Sequence, residues 1–427
     1  MIAKLIFKLG QQLRNPSLNN WCSFLKTSEK WTLEELECYQ FDKLKVLVAN
    51  AYANSEFYRT AFQKEGITLA DIKSLNDIKK LPIVTKEELI LNNTAIQQIT
   101  KSTKYFTAST SGTTGDSLIF KRTETTDSFN RASIFRGYSW YNVKPWDRNG
   151  YFWGINFSKK TLLKTKFLDF LQNRYRLFNF KDKQVQTFVK KLQTSVYIHG
   201  YSSAIYETAK KINRQSLQQP LNLKMVKGTS EKIFESYQDE INKAFGQKMI
   251  SEYGAAETGI IAFECPKGTM HINMEGVLVE EINNEIIVTN LQQHSFPIIR
   301  YKLGDFIKLA PKTKTCTCGM NHLILEEVTG RVGKVVYGKV SNYPSLYFYY
   351  IFKNLAKKGL FLTYQVIQEN KGALLFLIEQ NINSTEKSLL ICEIELYFKN
   401  DMEIEIKENT LFSIGVGKRK SFISNID

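Results

Sequence analysis

No stretch of this 427-residue chain approaches the run of about eighteen apolar residues that a membrane-spanning helix needs. A secretory pattern is missing as well: the apolar opening from Met1 to Gly10 is broken by Lys4 and Lys8, with no small-residue cleavage site behind it. The expectation is a cytoplasmic protein whose six cysteines stay reduced. Charge is sparse at 23% of residues while 43% are apolar, which excludes wholesale disorder. Acids are outnumbered 42 to 58, and the resulting +16 invites a polyanion, whether nucleic acid, membrane surface or phosphorylated small molecule. Long basic runs are absent, however. Lys159-Lys160, Lys190-Lys191, Lys357-Lys358 and Lys418-Arg419-Lys420 are short and do not interleave with aromatics along one face, so a nucleic-acid partner is not expected. Residues 1–14 can form a basic amphipathic helix with Ile2, Leu5, Ile6 and Leu9 on one face. Docking of such a helix on the protein's own body is the commoner outcome, and peripheral membrane contact is the most it implies.

What is present centres on Thr107-Ala108-Ser109-Thr110-Ser111-Gly112-Thr113-Thr114-Gly115-Asp116, where eight of ten residues are glycine or bear a hydroxyl. Such a run is neither core strand nor helix interior. Glycine lets backbone approach a ligand closely, and hydroxyls add donors beside exposed N–H groups, which is how a loop holds phosphate oxygens. Tyr105-Phe106 before it and Leu118-Ile119-Phe120 after it read as two short strands joined like a hairpin, an unusual setting for a flexible linker.

The length exceeds one hydrophobic core, so two domains are expected. Residues 15–100 read as mostly helical, with capping boxes at Thr32/Glu35 and Thr85/Glu88. A further helix runs over 124–145. Strand-then-turn units follow at Gly150–Gly154, Val196–Ser203, Met225–Glu231 and Lys248–Gly254, the third leading into a helix that carries Ile233, Phe234 and Tyr237. This alternation predicts an α/β layered domain with polar turns at the carboxyl ends of strands, where ligands collect. From Leu278 to Leu309 short strands of alternating character predict a β-rich segment. A boundary near residue 331 divides a large N-terminal domain, 1–330, from a small α+β C-terminal domain, 331–427.

Three more stretches follow the loop in order: Glu252-Tyr253-Gly254-Ala255-Ala256-Glu257, Arg300-Tyr301-Lys302-Leu303-Gly304-Asp305 and Gly330-Arg331. With it they resemble the adenylate-forming (AMP-binding) enzymes, and in particular the phenylacetate–CoA ligase, coenzyme F390 synthetase and CapK capsule-biosynthesis branch. Ala51-Tyr52, Phe57-Tyr58-Arg59 and Leu81-Pro82-Ile83-Val84-Thr85-Lys86 fit that branch. The resemblance runs from about residue 40 to 420. It implies ATP-dependent activation of a carboxylic acid as an acyl- or aryl-adenylate, then transfer to CoA or a carrier or sugar acceptor, with surface polysaccharide assembly as a setting. It also implies a site. Thr110, Ser111, Gly112, Thr113, Thr114 and Gly115 would wrap the β- and γ-phosphates of ATP. Tyr253 and Gly254 would lie at adenine, Glu257 would hold Mg²⁺, Asp305 would accept from both ribose hydroxyls, and Arg331 would assist at the ribose or phosphate. Lys418 would contact the α-phosphate and carboxylate, with the C-terminal domain acting as a mobile lid.

The chain departs from the pattern at Ser117, where a proline usually follows the loop, at Ala256, where a hydroxyl usually faces the α-phosphate, and at Val332-Gly333-Lys334, where an aspartate is usual at the hinge. The missing hydroxyl costs about 1–3 kcal/mol of transition-state stabilisation. A catalytically degenerate homologue and a basic zinc-containing binding protein therefore stand as alternatives. The cysteines add a separate signal. Cys265, His271, Cys316 and Cys318 match a tetrahedral structural zinc site in ligand type and number, though not in zinc-finger spacing, and the remaining cysteines lie far off at Cys22, Cys38 and Cys392. Cysteines recur at these places in the branch resembled. Four reduced residues on unrelated turns would look the same in sequence.

Overall fold

Helices fill the first hundred residues because apolar side chains recur there at helical spacing behind good caps. α1 (Ile2–Arg14), α2 (Leu18–Ser28), α3 (Leu33–Asn54) and α4 (Glu56–Lys64) follow one another in the computed structural model. It describes residues 2–110, 117–153, 159–331, 335–412 and 420–426, without the side chains of 159–161, 331 and 346. The Thr32 hydroxyl accepts from the Glu35 amide while the Glu35 carboxylate accepts from the Thr32 amide, closing the anticipated capping box of α3. Thr85 and Glu88 make the same exchange at α5 (Lys86–Leu91), and α6 (Asn93–Ile96) follows. Next come β1 (Tyr105–Ser109) and β2 (Ile119–Thr123), antiparallel, with Tyr105 opposite Thr123 and Ser109 opposite Ile119. Thr123 caps α7 (Glu124–Trp140). That helix stops short of Pro145 because Asn142 adopts a left-handed φ of 54°.

Strands and helices then alternate: β3 (Asn149–Phe152), α8 (Lys159–Leu171), β4 (Arg174–Arg176), α9 (Asp182–Leu192), β5 (Tyr197–Tyr201), α10 (Ser202–Arg214), β6 (Met225–Thr229) and α11 (Gln238–Phe245). Ile233 and Phe234 precede the last helix instead of riding on it. Ser230 has a φ of 68°, and the Glu231 carboxylate turns back to accept from the Ser203 amide at 2.9 Å and its hydroxyl at 2.7 Å. The β-rich segment is β7 (Met249–Ala255), β8 (Gly259–Glu264), β9 (Met270–Ile272), β10 (Val277–Ile282), β11 (Glu285–Asn290), β12 (Tyr301–Leu309) and β13 (Ile324–Arg331). The chain closes with β14 (Val335–Tyr337), β15 (Asn342–Pro344), α12 (Leu346–Lys357), β16 (Tyr364–Gln368), β17 (Ala373–Ile378), α13 (Ser384–Phe398), β18 (Glu403–Lys407) and β19 (Phe422–Ser424).

Two compact units result. The first takes Met1–Asp147, Leu168–Asn173 and Ile250–Val328. Its strands run in the order β10-β11-β12-β13-β9-β8-β7. Apolar residues of α3, such as Leu44 and Val48, meet Ile261, Ile286, Val288 and Ile298 in its core. The second takes Arg148–Phe167, Arg174–Met249 and Thr329–Asp427. Here β6-β5-β3-β4 are parallel throughout, as strand–helix alternation demands. Phe152, Ile198 and Val226 on those strands pack with Val185 and Phe188 of α9 and Ile241 of α11. The same unit holds a smaller sheet, β18-β17-β16-β19, whose Val366, Phe376 and Phe422 share a core with Phe348 of α12 and Phe398 of α13. This mixed α/β architecture is the one that the sequence predicts.

Candidate functional site

β7 carries the Glu252–Ala255 stretch inside the strand, so the polar turn comes later than the sequence predicts, at 256–258. Pairing with β8 slips between Tyr253 and Gly254. At that slip a side chain has no room: a Cβ on Gly254 would lie 2.4 Å from the Gly259 carbonyl oxygen. Asp305 also sits within a strand, just after Gly304 with its φ of 84°. The facing strand β11 changes register between Glu285 and Ile287, a bulge that re-aims the side chains around it. Three strands separate β7 from β12 in the sheet order, yet the Tyr253 hydroxyl donates to the Asp305 carboxylate at 2.8 Å. Side chains, not strand pairing, make this contact.

Glu257 is buried at 3% exposure just after that turn. Its carboxylate accepts from the Tyr301 hydroxyl at 3.2 Å, and its carbonyl accepts from the Asn290 side chain at 3.3 Å. Among the described residues no cation pairs with it. Thr110 closes the base of the Ser/Thr/Gly loop: its amide donates to the Leu118 carbonyl and its hydroxyl accepts from the Leu118 amide, both at 3.0 Å. Among the described residues, no acceptor takes that hydroxyl's own proton. Ser111, Gly112, Thr113, Thr114 and Gly115 lie outside the described residues, as do Lys418 and the side chain of Arg331.

Two other motif stretches meet directly. Val84 and the Arg300–Lys302 segment exchange backbone bonds at 3.0 and 2.9 Å. The Arg300 guanidinium is bidentate to Glu280 at 3.0 and 2.9 Å and donates to the Lys79 and Leu81 carbonyls. Arg300 holds a φ of 46°, which this set of contacts imposes at the entry to β12.

Cys265, His271, Cys316 and Cys318 converge, with their ligand atoms all within 4.8 Å of one another. Cys265 directly follows β8, His271 lies in β9, and the other two sit on the turn between β12 and β13. Left-handed Gly268 and Gly319 close the two turns, with Gly268 donating to the Cys265 carbonyl and Gly319 to that of Cys316. The Cys265 and Cys316 sulfurs are 3.8 Å apart, and Cys318 Sγ is 3.2 Å from His271 Nε2. Tetrahedral zinc with Zn–S of about 2.3 Å sets sulfurs about 3.8 Å apart, so the donors fit that ion. Burial pushes His271 down to about 4, which keeps its imidazole in the neutral, ligand-competent form.

Beside this cluster lies a network that sequence reasoning did not find. Glu275 is fully buried and accepts from Arg136 at 2.7 and 3.2 Å, from Ser28 at 2.5 Å, and contacts His322 Nε2 at 3.1 Å. Burial alone would raise its pKa, but the charges of Arg136 and His322 outweigh that and hold it well below the usual carboxylate range. Arg136 also donates to Asn273 at 2.7 Å, and the His322 carbonyl lies 3.4 Å from His271 Nδ1. The network thus reaches from α2 and α7 to a cysteine-cluster ligand. Residues 28, 136, 275 and 322 share no local pattern that a sequence scan could register.

No family model matches the chain. Over 279 residues it is 24% identical to protein CapK of Staphylococcus aureus, covering 60% of this chain and 59% of CapK. A segment of 65 residues is 40% identical to phenylacetate–coenzyme A ligase of Aromatoleum evansii, 15% of each chain. The structure of 2-hydroxyisobutyryl-CoA ligase, solved in a postadenylation state with R3-HIB-AMP, superposes over 93% of this chain and 91% of that one, with a TM-score of 0.72 at 14% identity. This is the fold of the adenylate-forming ligases. Within it, the relatives by sequence are CapK and the phenylacetate–CoA ligases, the branch that the order of motifs indicates. The chain spans less than two thirds of the length of each of these curated relatives. Among the described residues, no helix of this adenylate-forming fold is long and apolar enough to cross a membrane.

Proposed function

We propose that the chain is an AMP-forming carboxylate–CoA ligase. A carboxylate oxygen attacks the α-phosphorus of ATP and the bond to pyrophosphate breaks, leaving an acyl- or aryl-adenylate. The CoA thiol then attacks the acyl carbon, the thiol proton is lost to solvent, and AMP leaves. Charge builds on phosphate oxygens in the first step, so donors and cations held in place beforehand lower its barrier. The Tyr253–Asp305 contact is the observation that carries this reading, because it joins the residues proposed for adenine and ribose from stretches 52 positions apart. Asp305 would take the ribose hydroxyls, with Tyr253 stacked on adenine and steadying that carboxylate. Glu257, buried with no cation paired to it among the described residues, suits Mg²⁺, which would neutralise charge on the phosphates. Thr110 and residues 111–115 would hold the departing pyrophosphate, and Arg331 and Lys418 would act at the ribose and α-phosphate.

The cysteine cluster would hold a structural zinc, bracing the strands around β12 without doing chemistry. Residues 331–427 would act as the lid, in the cytoplasm. An acceptor other than CoA, in capsular polysaccharide assembly, is the setting that the likeness to CapK favours. Pyrophosphate release with ATP, Mg²⁺ and a panel of aryl and small acids is the test. Release with at least one acid, lost on Glu257→Ala or Lys418→Ala while the fold persists, is the expected result. ATP binding with no release for any acid would identify a degenerate homologue, consistent with Ala256, and no ATP binding at all would defeat the proposal.

A further inference from the structure

Where α1 ends beside the first turns of α7, in the first unit, one buried carboxylate collects three guanidiniums. Arg122 donates to Asp127 Oδ1 at 3.1 and 2.6 Å, while Arg131 and Asn15 donate to Oδ2 at 2.8 and 2.9 Å. A carboxylate has about four lone-pair positions, so these four bonds use it up. The third guanidinium, that of Arg14, stands 3.9 Å from Oδ2 and makes no hydrogen bond among the described residues. It lies over the Phe106 ring, 4.2 Å from the centroid, with 51% of its side chain exposed. The Lys104 ammonium is 5.4 Å from the same centroid and is fastened to the Leu13 and Arg14 carbonyls at 2.7 and 3.1 Å.

The charges here do not cancel. Arg14, Lys104, Arg122 and Arg131 are set against two carboxylates, Asp127 and Glu124, and Glu124 is taken by Ser17 and Ser128. Burial would raise the Asp127 pKa, but Arg131 and Arg122 outweigh it and hold the carboxyl down at about 2, so both acids count as anions and two positive charges remain in excess. Around Arg14, burial and the charges of Arg131 and Arg122 together outweigh the attraction of Asp127, a field that one more anion relieves. Arg131 is 40% exposed and spends only its Nε on Asp127, so its outer N–H groups are open to solvent beside those of Arg14. Both guanidiniums border the same carboxylate oxygen, close enough for a single oxyanion to reach both at charge-assisted distances of about 2.8 Å. A phosphoryl group carries a charge of about −1.5 to −2 and three acceptor oxygens, which matches the excess; a lone carboxylate brings half of that charge. We propose that Arg14 and Arg131, with Lys104 beside them, form a binding site for a phosphoryl oxyanion. None of these residues is among those proposed to hold ATP, so the site is independent of the ligase reading.

Calorimetry of the full chain with inorganic phosphate at low salt tests this. Phosphate is expected to bind, more weakly as sodium chloride rises, and about tenfold or more weakly in Arg14→Gln. That substitution removes no hydrogen bond from the fold, so the melting temperature in phosphate-free buffer should stay close to the parent's. Lys190→Gln makes the same charge change at an exposed position of α9, in the second unit, and should bind phosphate as the parent does. CoA and dephospho-CoA tell two sources of the oxyanion apart. Tighter binding of CoA, with the difference lost in Arg14→Gln, makes its 3′-phosphate the ligand; equal binding of the two makes free phosphate the ligand. Phosphate binding that is absent, or equal in parent and Arg14→Gln, or lowered as much by Lys190→Gln, overturns the proposal.

Discussion

Replacing Arg136 by methionine keeps most of the side chain's volume and removes the guanidinium that meets Glu275 at 2.7 Å. Both partners are buried, Arg136 at 7% side-chain exposure and Glu275 at zero, so the carboxylate cannot recover its lost partner from water. Breaking a buried pair this way costs about 3–5 kcal/mol. Ser28 and His322 stay on Glu275, so the lower end, about 3 kcal/mol, is expected for the first unit. Four of the five tryptophans, Trp21, Trp31, Trp140 and Trp146, lie in that unit, so urea unfolding followed by tryptophan fluorescence reads it. The pH dependence gives a second readout. In the parent, Glu275 is held below its unfolded value, so its contribution is present above pH about 4.3 and is lost only as pH falls further. Without Arg136, burial governs and the carboxyl takes up a proton more readily folded than unfolded. The variant then gains relative stability as pH falls, and its penalty should shrink by about half between pH 8 and pH 5. A penalty under about 1 kcal/mol at pH 8, or one that does not change with pH, would refute the reasoning.

Tyr253→Phe removes one hydrogen bond to a half-buried carboxylate, worth about 1 kcal/mol after allowance for solvent, so ATP should bind about fivefold more weakly by calorimetry. Asp305→Ala should weaken ATP binding more than Tyr253→Phe does; equal effects would argue against Asp305 as the ribose acceptor. Purified protein should contain close to one zinc per chain by elemental analysis, and chelation or Cys316→Ala should lower the melting temperature; less than about half an equivalent would count against the cluster as a zinc site. Gly254→Ala forces a methyl into contact with the Gly259 carbonyl and should destabilise the first unit by about 2 kcal/mol or more, read in the same urea unfolding.

Much of the fold was legible because its signals are local. The capping boxes at Thr32 and Thr85, the hairpin around the hydroxyl-rich loop and the strand–helix alternation from residue 149 all depend on residues a few positions apart. Legibility failed where a distant contact overrode the local pattern. Ile233 and Phe234 have helical spacing with Tyr237, but Glu231 caps the start of α10 instead, and the helix begins later. The strand-then-turn unit read at Lys248–Gly254 puts its polar turn too early, because Glu252–Ala255 pairs with β8 as a strand.

By itself the sequence determined the fold class, the order of motifs and the kinds of donor at hand, because periodicity, caps and residue chemistry are properties of neighbours along the chain. Tertiary structure decided which of those donors meet. Tyr253 and Asp305 touch across three intervening strands, Cys265 and His271 join Cys316 and Cys318 from separate turns, and Arg136 finds Glu275 from another element altogether. It also decided which side of α1 faces outward, since the amphipathic pattern allowed either and the pocket for Phe7 between Phe135 and Trp146 selected one. Contacts at such separations leave no trace in local spacing. They exist only once the chain has folded and the separate strands and turns have met.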